Sequence, residues 1–283
     1  MLDSRSSTHE WPDERAFYLT LDLECDYGTA LPDNTYEAVD HVDKLVSLLE
    51  RIDIPLTCFV QTEVLERHPE AVDQLQNCDV EVSFHPHSHS HSRREDTTTM
   101  YEVESSTQRY RDFFGDTPKG YRFPDGNIHL DDYEILDDFG YSFSASVFPT
   151  WRPAHFNNAS HPMNPVTIQP TSIVEIPFTV YSPLLRIPTG ISYCRVLGRP
   201  YSYLLEQLPP LVVIFNIHMH DLVTPNSYES LSWLYKLVYR RNDHGFAMLT
   251  RILEKFSQDN YSFNLLDSLF ESIVTDAAQT EQT

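Results

Sequence analysis

Two hydrophobic periods alternate along this chain. Short apolar runs read as buried strands: "AFYLTLDLE" (16–24), "LTCFVQ" (56–61) and "PLVVIFNIHMH" (210–220); "DVEVSFH" (79–85) reads as a strand running straight into histidines. Between them lie stretches with a helical repeat. In "TYEAVDHVDKLVSLLERI", Val39, Val42, Val46 and Leu49 fall on one face, and Pro55 ends the pattern. "EVLERHPEAVDQLQ" is helical in its second half, with Pro69 at the helix start. "TTTMYEVESSTQRYRDFFG" is a helix closed by Gly115, and "LDDYEILDDFG" one ending at Gly140. "KGYRFPDG" reads as a strand and a turn, "YSFSASVF" as a strand, "SLSWLYKLVYRR" as a helix, and "FAML" as a strand before a helix "TRILEKFSQ" capped by Thr250. From Pro149 to Pro200 prolines are frequent, and only "VTIQP", "IVEIP" and "ISYCR" look like strands. This stretch is expected to cover one side of a site. Residues 1–14 and 276–283 read as tails, leaving 15–275 as a single domain. Strand–helix alternation of this kind implies an α/β fold with a parallel sheet and outer helices.

In such sheets and barrels functional groups sit just past the C-terminal ends of strands. Acids end the first strand (Asp22, Glu24), histidines the third (His85, His87, His89, His91), and histidines again the late one (His218, His220). Arg122 lies on a strand beside the turn Pro124, Asp125, Gly126, where Pro124 and Asp125 are candidates for substrate contact. Imidazoles with three residues between them, His85 and His89, can share one divalent ion, with Asp22 or Glu24 completing a two-histidine, one-carboxylate set. Asp26 is a further carboxylate alternative. The acid that does not bind metal can serve as base, Arg122 can hold it ionised, and His218 can protonate a leaving group. On this reading His87 points away or supports the ligands, and His91 packs in a loop.

Charge narrows the classes. Forty-two acidic residues against 20 basic ones give a net charge of −22, which argues against nucleic acid as a partner. Lysine is scarce (Lys44, Lys119, Lys236, Lys255), a composition suited to molar salt, where self-repulsion is screened within about 3 Å. Four scattered cysteines without a C-x-x-C pair are expected to be reduced thiols. No run is long enough to span a membrane, and the polar, acidic N-terminus does not read as a secretory signal, so a cytoplasmic location is expected.

Over roughly residues 16–258 the chain resembles the polysaccharide deacetylases with a NodB-type domain. "LTLDLE", "EVSFHPHSH", "GYRFPDG" and "FNIHMHDL" follow the order of that family's motifs, and "IPTGISYCR" is similar to one of its branches. A haloarchaeal member would fit the acidity. The resemblance implies a distorted (β/α) barrel of about seven strands that removes an acetyl group from an N- or O-acetylated sugar or glycan precursor. By the same match Asp22 is the base, Glu24, His85 and His89 hold a divalent metal (zinc, with cobalt or manganese as alternatives), Arg122 orients the base, and His218 is the acid. The family's fourth motif, an aspartate near a tryptophan, has no clean counterpart. Two other readings stay open: a metal-free hydrolase of small or cyclic amides, and a non-catalytic carbohydrate- or metal-binding protein.

Overall fold

The computed structural model describes residues 6–92, 97–152, 156–239 and 244–280. Seven principal strands form the walls of the domain: β1 Ala16–Leu23, β2 Leu56–Gln61, β3 Val82–Ser88, β4 Gly120–Tyr121, β5 Phe143–Ser144, β6 Val174–Glu175 and β7 Val212–His218. They fall into two sheets. One has the order β7–β1–β2–β3, all parallel; the other carries β4–β5–β6, also parallel. The α/β class read from the sequence therefore holds. The wall is not one continuous ladder. Scattered hydrogen bonds join the sheets: Arg122 N–H to Pro86 O and Gly120 N–H to His85 Nδ1, both at 3.2 Å, on one side, and Ile214 N–H to Thr179 Oγ1 at 2.8 Å on the other.

β1 shows why a site forms at one end. Its outward residues Phe17, Leu19, Leu21 and Leu23 join a core with helices α1 Val42–Ile52 and α2 Gly245–Gln258. Its inward residues begin apolar, with Ala16 and Tyr18, and become polar, with Thr20 and Asp22. Period-two alternation puts all four on one face. The apolar end is closed by helix α3, Leu266–Thr280, whose Leu266, Leu269 and Ile273 pack with Tyr18, Phe59 and Phe143. Polar groups are thereby confined to the opposite rim.

Several local expectations change. "FAML" belongs to α2, because Leu249, Ile252, Leu253 and Phe256 form one buried stripe that runs through it. "ISYCR" lies in a helix, Ile191–Leu197, burying Ile191 and Cys194. The first half of "EVLERHPEAVDQLQ" is also helical, Thr62–Arg67. Short apolar runs fit either period, and here packing decides. The expected tails are partly built in. Ser7–Thr8 pairs with Val166–Thr167, Trp11 Nε1 donates to Met163 O at 3.0 Å, and α3 continues to Thr280.

Gly120 permits the inner layer. A Cβ there would sit 2.2 Å from the ring of Phe143, a fully buried residue edge-on to His85. Gly120→Ala is expected to destabilise the fold by about 1–3 kcal/mol, the usual cost of overpacking, read as a lower denaturation midpoint with unchanged slope.

Candidate active site

Asp22 occupies the centre of the rim. Its Oδ1 accepts from Arg122 NH1 at 2.6 Å and its Oδ2 from Asn216 Nδ2 at 2.9 Å. The same Arg122 nitrogen also reaches Thr20 Oγ1 (3.1 Å) and Asn216 Oδ1 (2.9 Å), while Nε bonds Ala145 O at 2.8 Å. The guanidinium lies between the rings of Phe59 and Phe178, 3.9 and 4.5 Å from their centroids. Burial alone would push the Asp22 carboxyl up; Arg122, with His87 and His218, overcomes it and holds the group well below the usual carboxylate range.

The histidine run splits by geometry. His87 Nε2 and His91 Nδ1 each lie 3.0 Å from Glu24 Oε2, and all three residues are buried. The expected pair is elsewhere. His85 accepts from Gly120 N–H at Nδ1 and meets Asp267 at 3.1 Å through Nε2. His89 bonds Thr62 Oγ1 at 3.0 Å, and its backbone N–H is taken by Glu102. The difference in placement follows from register. Asp22 pairs with Phe59, and Phe59 with His85, so His85 lies inward in the same row. In a tilted, barrel-like wall that row descends across the strands, and His85 meets the start of α3. His87, the next inward position, is the one that reaches Glu24. His91 then comes back from the loop at φ 55°, packed against Gly28, where a Cβ would lie 3.0 Å from its Nε2. Asp26 faces away: it accepts from Ala38 N–H, Glu37 N–H, Thr35 and Ser227.

His218 stands beside Asp22 in the register, its Nε2 3.5 Å from Asp22 Oδ2 and 3.8 Å from Glu24 Oε1. Its Nδ1 is 2.8 Å from Asp221, which is also held by Arg195 at 2.7 Å and by the Ser192 hydroxyl. Burial would lower the His218 imidazole, but the hydrogen bonds to Asp22 and Asp221 carry it well above its ordinary value. His220, stacked on His218 at 4.9 Å, moves the other way, to about 4, through burial and the neighbouring imidazole. Asp221 and Asn216 were not singled out in the sequence. For Asp221 the only available signal was the tetrapeptide "HMHD" at a strand end.

Asp22, Glu24, His87, His91, Arg122 and His218 line one cleft with a cavity volume of ≈ 430 Å³. That volume suits a small ligand. Asp125 lines it as well; Pro124 does not. The donor set at Glu24, His87 and His91 fits a divalent cation. One ligand atom from each lies within 4.8 Å of the others, and His91 Nδ1 is buried beside Glu24 without a hydrogen bond. Two imidazoles and a carboxylate around an open position form a set used by zinc hydrolases. A second group, His218, His220 and Asp221, has comparable spacing, but Tyr27 N–H occupies His220 Nδ1, and Asp221 is engaged by Arg195.

Residues 12–144 match the sequence model of the polysaccharide deacetylase family, whose members are hydrolases of carbon–nitrogen bonds other than peptide bonds. The match contains Asp22, Glu24, His87, His91 and Arg122 and stops before His218. No curated protein matches the chain. In three dimensions the chain is similar to a Mycobacterium smegmatis protein described as a polysaccharide deacetylase, at 17% identity, TM-score 0.62, covering 98% of this chain and 96% of that one. It is also similar to a family 4 carbohydrate esterase from Bacillus anthracis, at 13% identity, TM-score 0.52, covering 94% and 86%. A Bacillus anthracis family 4 pseudoenzyme shares the fold too, at 10% identity, TM-score 0.54, covering 93% and 68%. At these identities the likeness is one of fold.

The ligand set has a direct test. Protein dialysed against zinc is expected to retain metal in His85→Ala and His89→Ala. Glu24→Gln, His87→Ala and His91→Ala should each weaken zinc binding by more than about 100-fold, beyond the range typical of supporting residues, measured as metal content per chain. Metal loss in the first pair alone would reverse the assignment.

Proposed function

We propose that this chain, with a polysaccharide deacetylase match over residues 12–144, is a metal-dependent hydrolase that removes an acetyl group from an N-acetylated sugar or glycan precursor. One observation carries the reading: an ionised carboxylate (Asp22), a raised histidine (His218) and the donor set Glu24, His87 and His91 open into the same cleft. Because a pseudoenzyme shares the fold, likeness of fold alone would not support turnover; the residues gathered in the cleft do.

A divalent cation at Glu24, His87 and His91, with zinc the best match to the donors, would supply Lewis-acid polarisation of a carbonyl and acidify a nearby water. The chain's own groups do the rest. Asp22, kept ionised by Arg122 and oriented by Asn216, accepts the proton of the attacking water. His218 delivers a proton to the departing amine from Nε2, while Asp221 fixes Nδ1 as the donor to itself and so sets the tautomer. Asp221 thus performs the orienting task for which the sequence offered no separate motif. A salt-rich, reducing compartment fits the acid excess and the four free cysteines. Among the described residues no helix is long and apolar enough to cross a membrane.

Acetate release from N-acetylated sugars, assayed in molar KCl with added zinc, is expected to fall by at least about 100-fold in Asp22→Asn and in His218→Ala, the low end of general acid–base contributions. Undiminished release in either would remove that residue from the mechanism. The pH profile has a defined sign. The acid must be protonated, and its value is raised, so activity persists above neutrality and is lost as pH rises through the His218 titration. The base must be ionised, and its value is lowered, so the acidic limb lies below the usual carboxylate range. Asp221→Asn removes one of the groups that raise His218. It is expected to move the alkaline limb to lower pH, with the acidic limb in place.

A further inference from the structure

We propose that Arg152 is an anion-recognition residue of the cleft, so that the acetylated sugar carries a carboxylate or a phosphate. This inference rests on the deacetylase reading for the identity of the sugar and on separate residues for its charge. Four arginines line the cleft: Arg122, Arg152, Arg186 and Arg195. Arg122 is engaged by Asp22, Asn216, Thr20 and Ala145 O. Arg195 holds Asp221 and the carbonyls of His220 and Tyr239. Arg186 donates to the carbonyls of Pro149 and Ala159 at 3.2 and 2.6 Å. The Arg152 guanidinium has no hydrogen bond or ion pair among the described residues.

Arg152 is also held in place. Trp151–Arg152 pairs with Phe156–Asn157 in an antiparallel ribbon, and Asn158 N–H closes it on Thr150 O at 2.9 Å. Arg186 grips the chain on both sides of that ribbon through Pro149 O and Ala159 O. At its base Phe148 stacks on Phe178 with centroids 3.9 Å apart, tying the ribbon to the ring that covers Arg122. The charge of Arg152 bears on the phenols of Tyr193 and Tyr239, two further cleft residues, so it faces inward. A guanidinium presented in this way matches the two oxygens of a carboxylate or phosphate. The catalytic groups lie deeper in the same cavity. A sugar with its acetamido group at Asp22 and His218 would therefore extend its anionic substituent toward the ribbon.

The test uses full-length, zinc-loaded protein at the lowest salt that keeps it folded, with N-acetylglucosamine, its 1-phosphate and N-acetylmuramic acid as probes. Binding is measured calorimetrically for wild type, Arg152→Gln and Arg152→Lys, each checked by circular dichroism. At least one charged probe is expected to bind about tenfold or more tightly than the neutral sugar, as charge-assisted hydrogen bonds allow. Arg152→Gln should erase that preference and leave the neutral sugar unchanged, and Arg152→Lys should retain part of it. Whether the phosphate or the carboxylate gains more identifies the source of the anion. Equal binding of charged and neutral probes by wild type, or a preference that survives Arg152→Gln, overturns the proposal. Acetate release is followed in the same samples. Its absence from every probe counts against the hydrolase reading, while the binding data still decide the role of Arg152.

Discussion

The buried pair between Asp22 and Arg122 is the constraint around which this molecule is organised. Both side chains are almost fully out of water, and each would be costly alone: breaking such a pair from one side typically costs about 3–5 kcal/mol. The geometry meets that demand through NH1 and Nε, while the buried NH2 has no hydrogen bond among the described residues. Arg122 bonds groups from β1 and β7 and the chain after β5, and its flat face is packed between two phenylalanines. It sits at the seam where the two sheets touch through the backbone N–H groups of Arg122 and Gly120. The contact that keeps the central carboxylate charged is therefore also one that holds the two sheets in register.

A second ordering principle is the gradient of polarity along the inside of the wall. Tyr18, Phe59, Phe143 and Ile214 fill the lower layer with α3, and Thr20, Asp22 and Asn216 the layer above it. Low dielectric below and open cleft above mean that each charge at the rim has its partners fixed by the scaffold rather than by solvent. Glu24, His87, His91 and His218 inherit that preorganisation because each ends a strand, or follows one, whose lower part is immobilised in the core.

How much of this was legible in the sequence varies with the physical cause. β1, β2 and β7 were readable because each is a largely apolar run buried on both faces, and β3 because valine and phenylalanine alternate with polar residues up to its histidines. "FAML" and "ISYCR" were not, since four or five apolar residues satisfy either period until a neighbour selects one. Asp22, Glu24, Arg122 and His218 could be picked out by the rule that strand ends carry chemistry. The histidines could not be assigned the same way. His85, His87, His89 and His91 contain the same four-residue step twice, once as 85 and 89 and once as 87 and 91. Only the strand pairing distinguishes the frames, with its tilt and the irregularity at His87, where Val60 pairs with Pro86 and Gln61 with Ser88; neither leaves a mark in a local pattern. Asn216 was hidden for a related reason: a lone polar residue in a buried strand acquires meaning only when the register sets it beside Asp22 and Thr20.

The acid and its partner belong to a single turn. His218 is the last residue of β7, and Asp221 lies three positions on, in the short helix Met219–Leu222 that continues directly from it. The base is different: Asp22 and Arg122 come from opposite sides of a seam joined by few bonds. Any relative movement of the two sheets would be taken up there. The His218–Asp221 unit would ride that movement as one rigid piece, while the Asp22–Arg122 contact would stretch. Relative movement of the two sheets would thus register first at the base and last at the acid, so the two halves of the chemistry differ in mechanical compliance although they share one cavity.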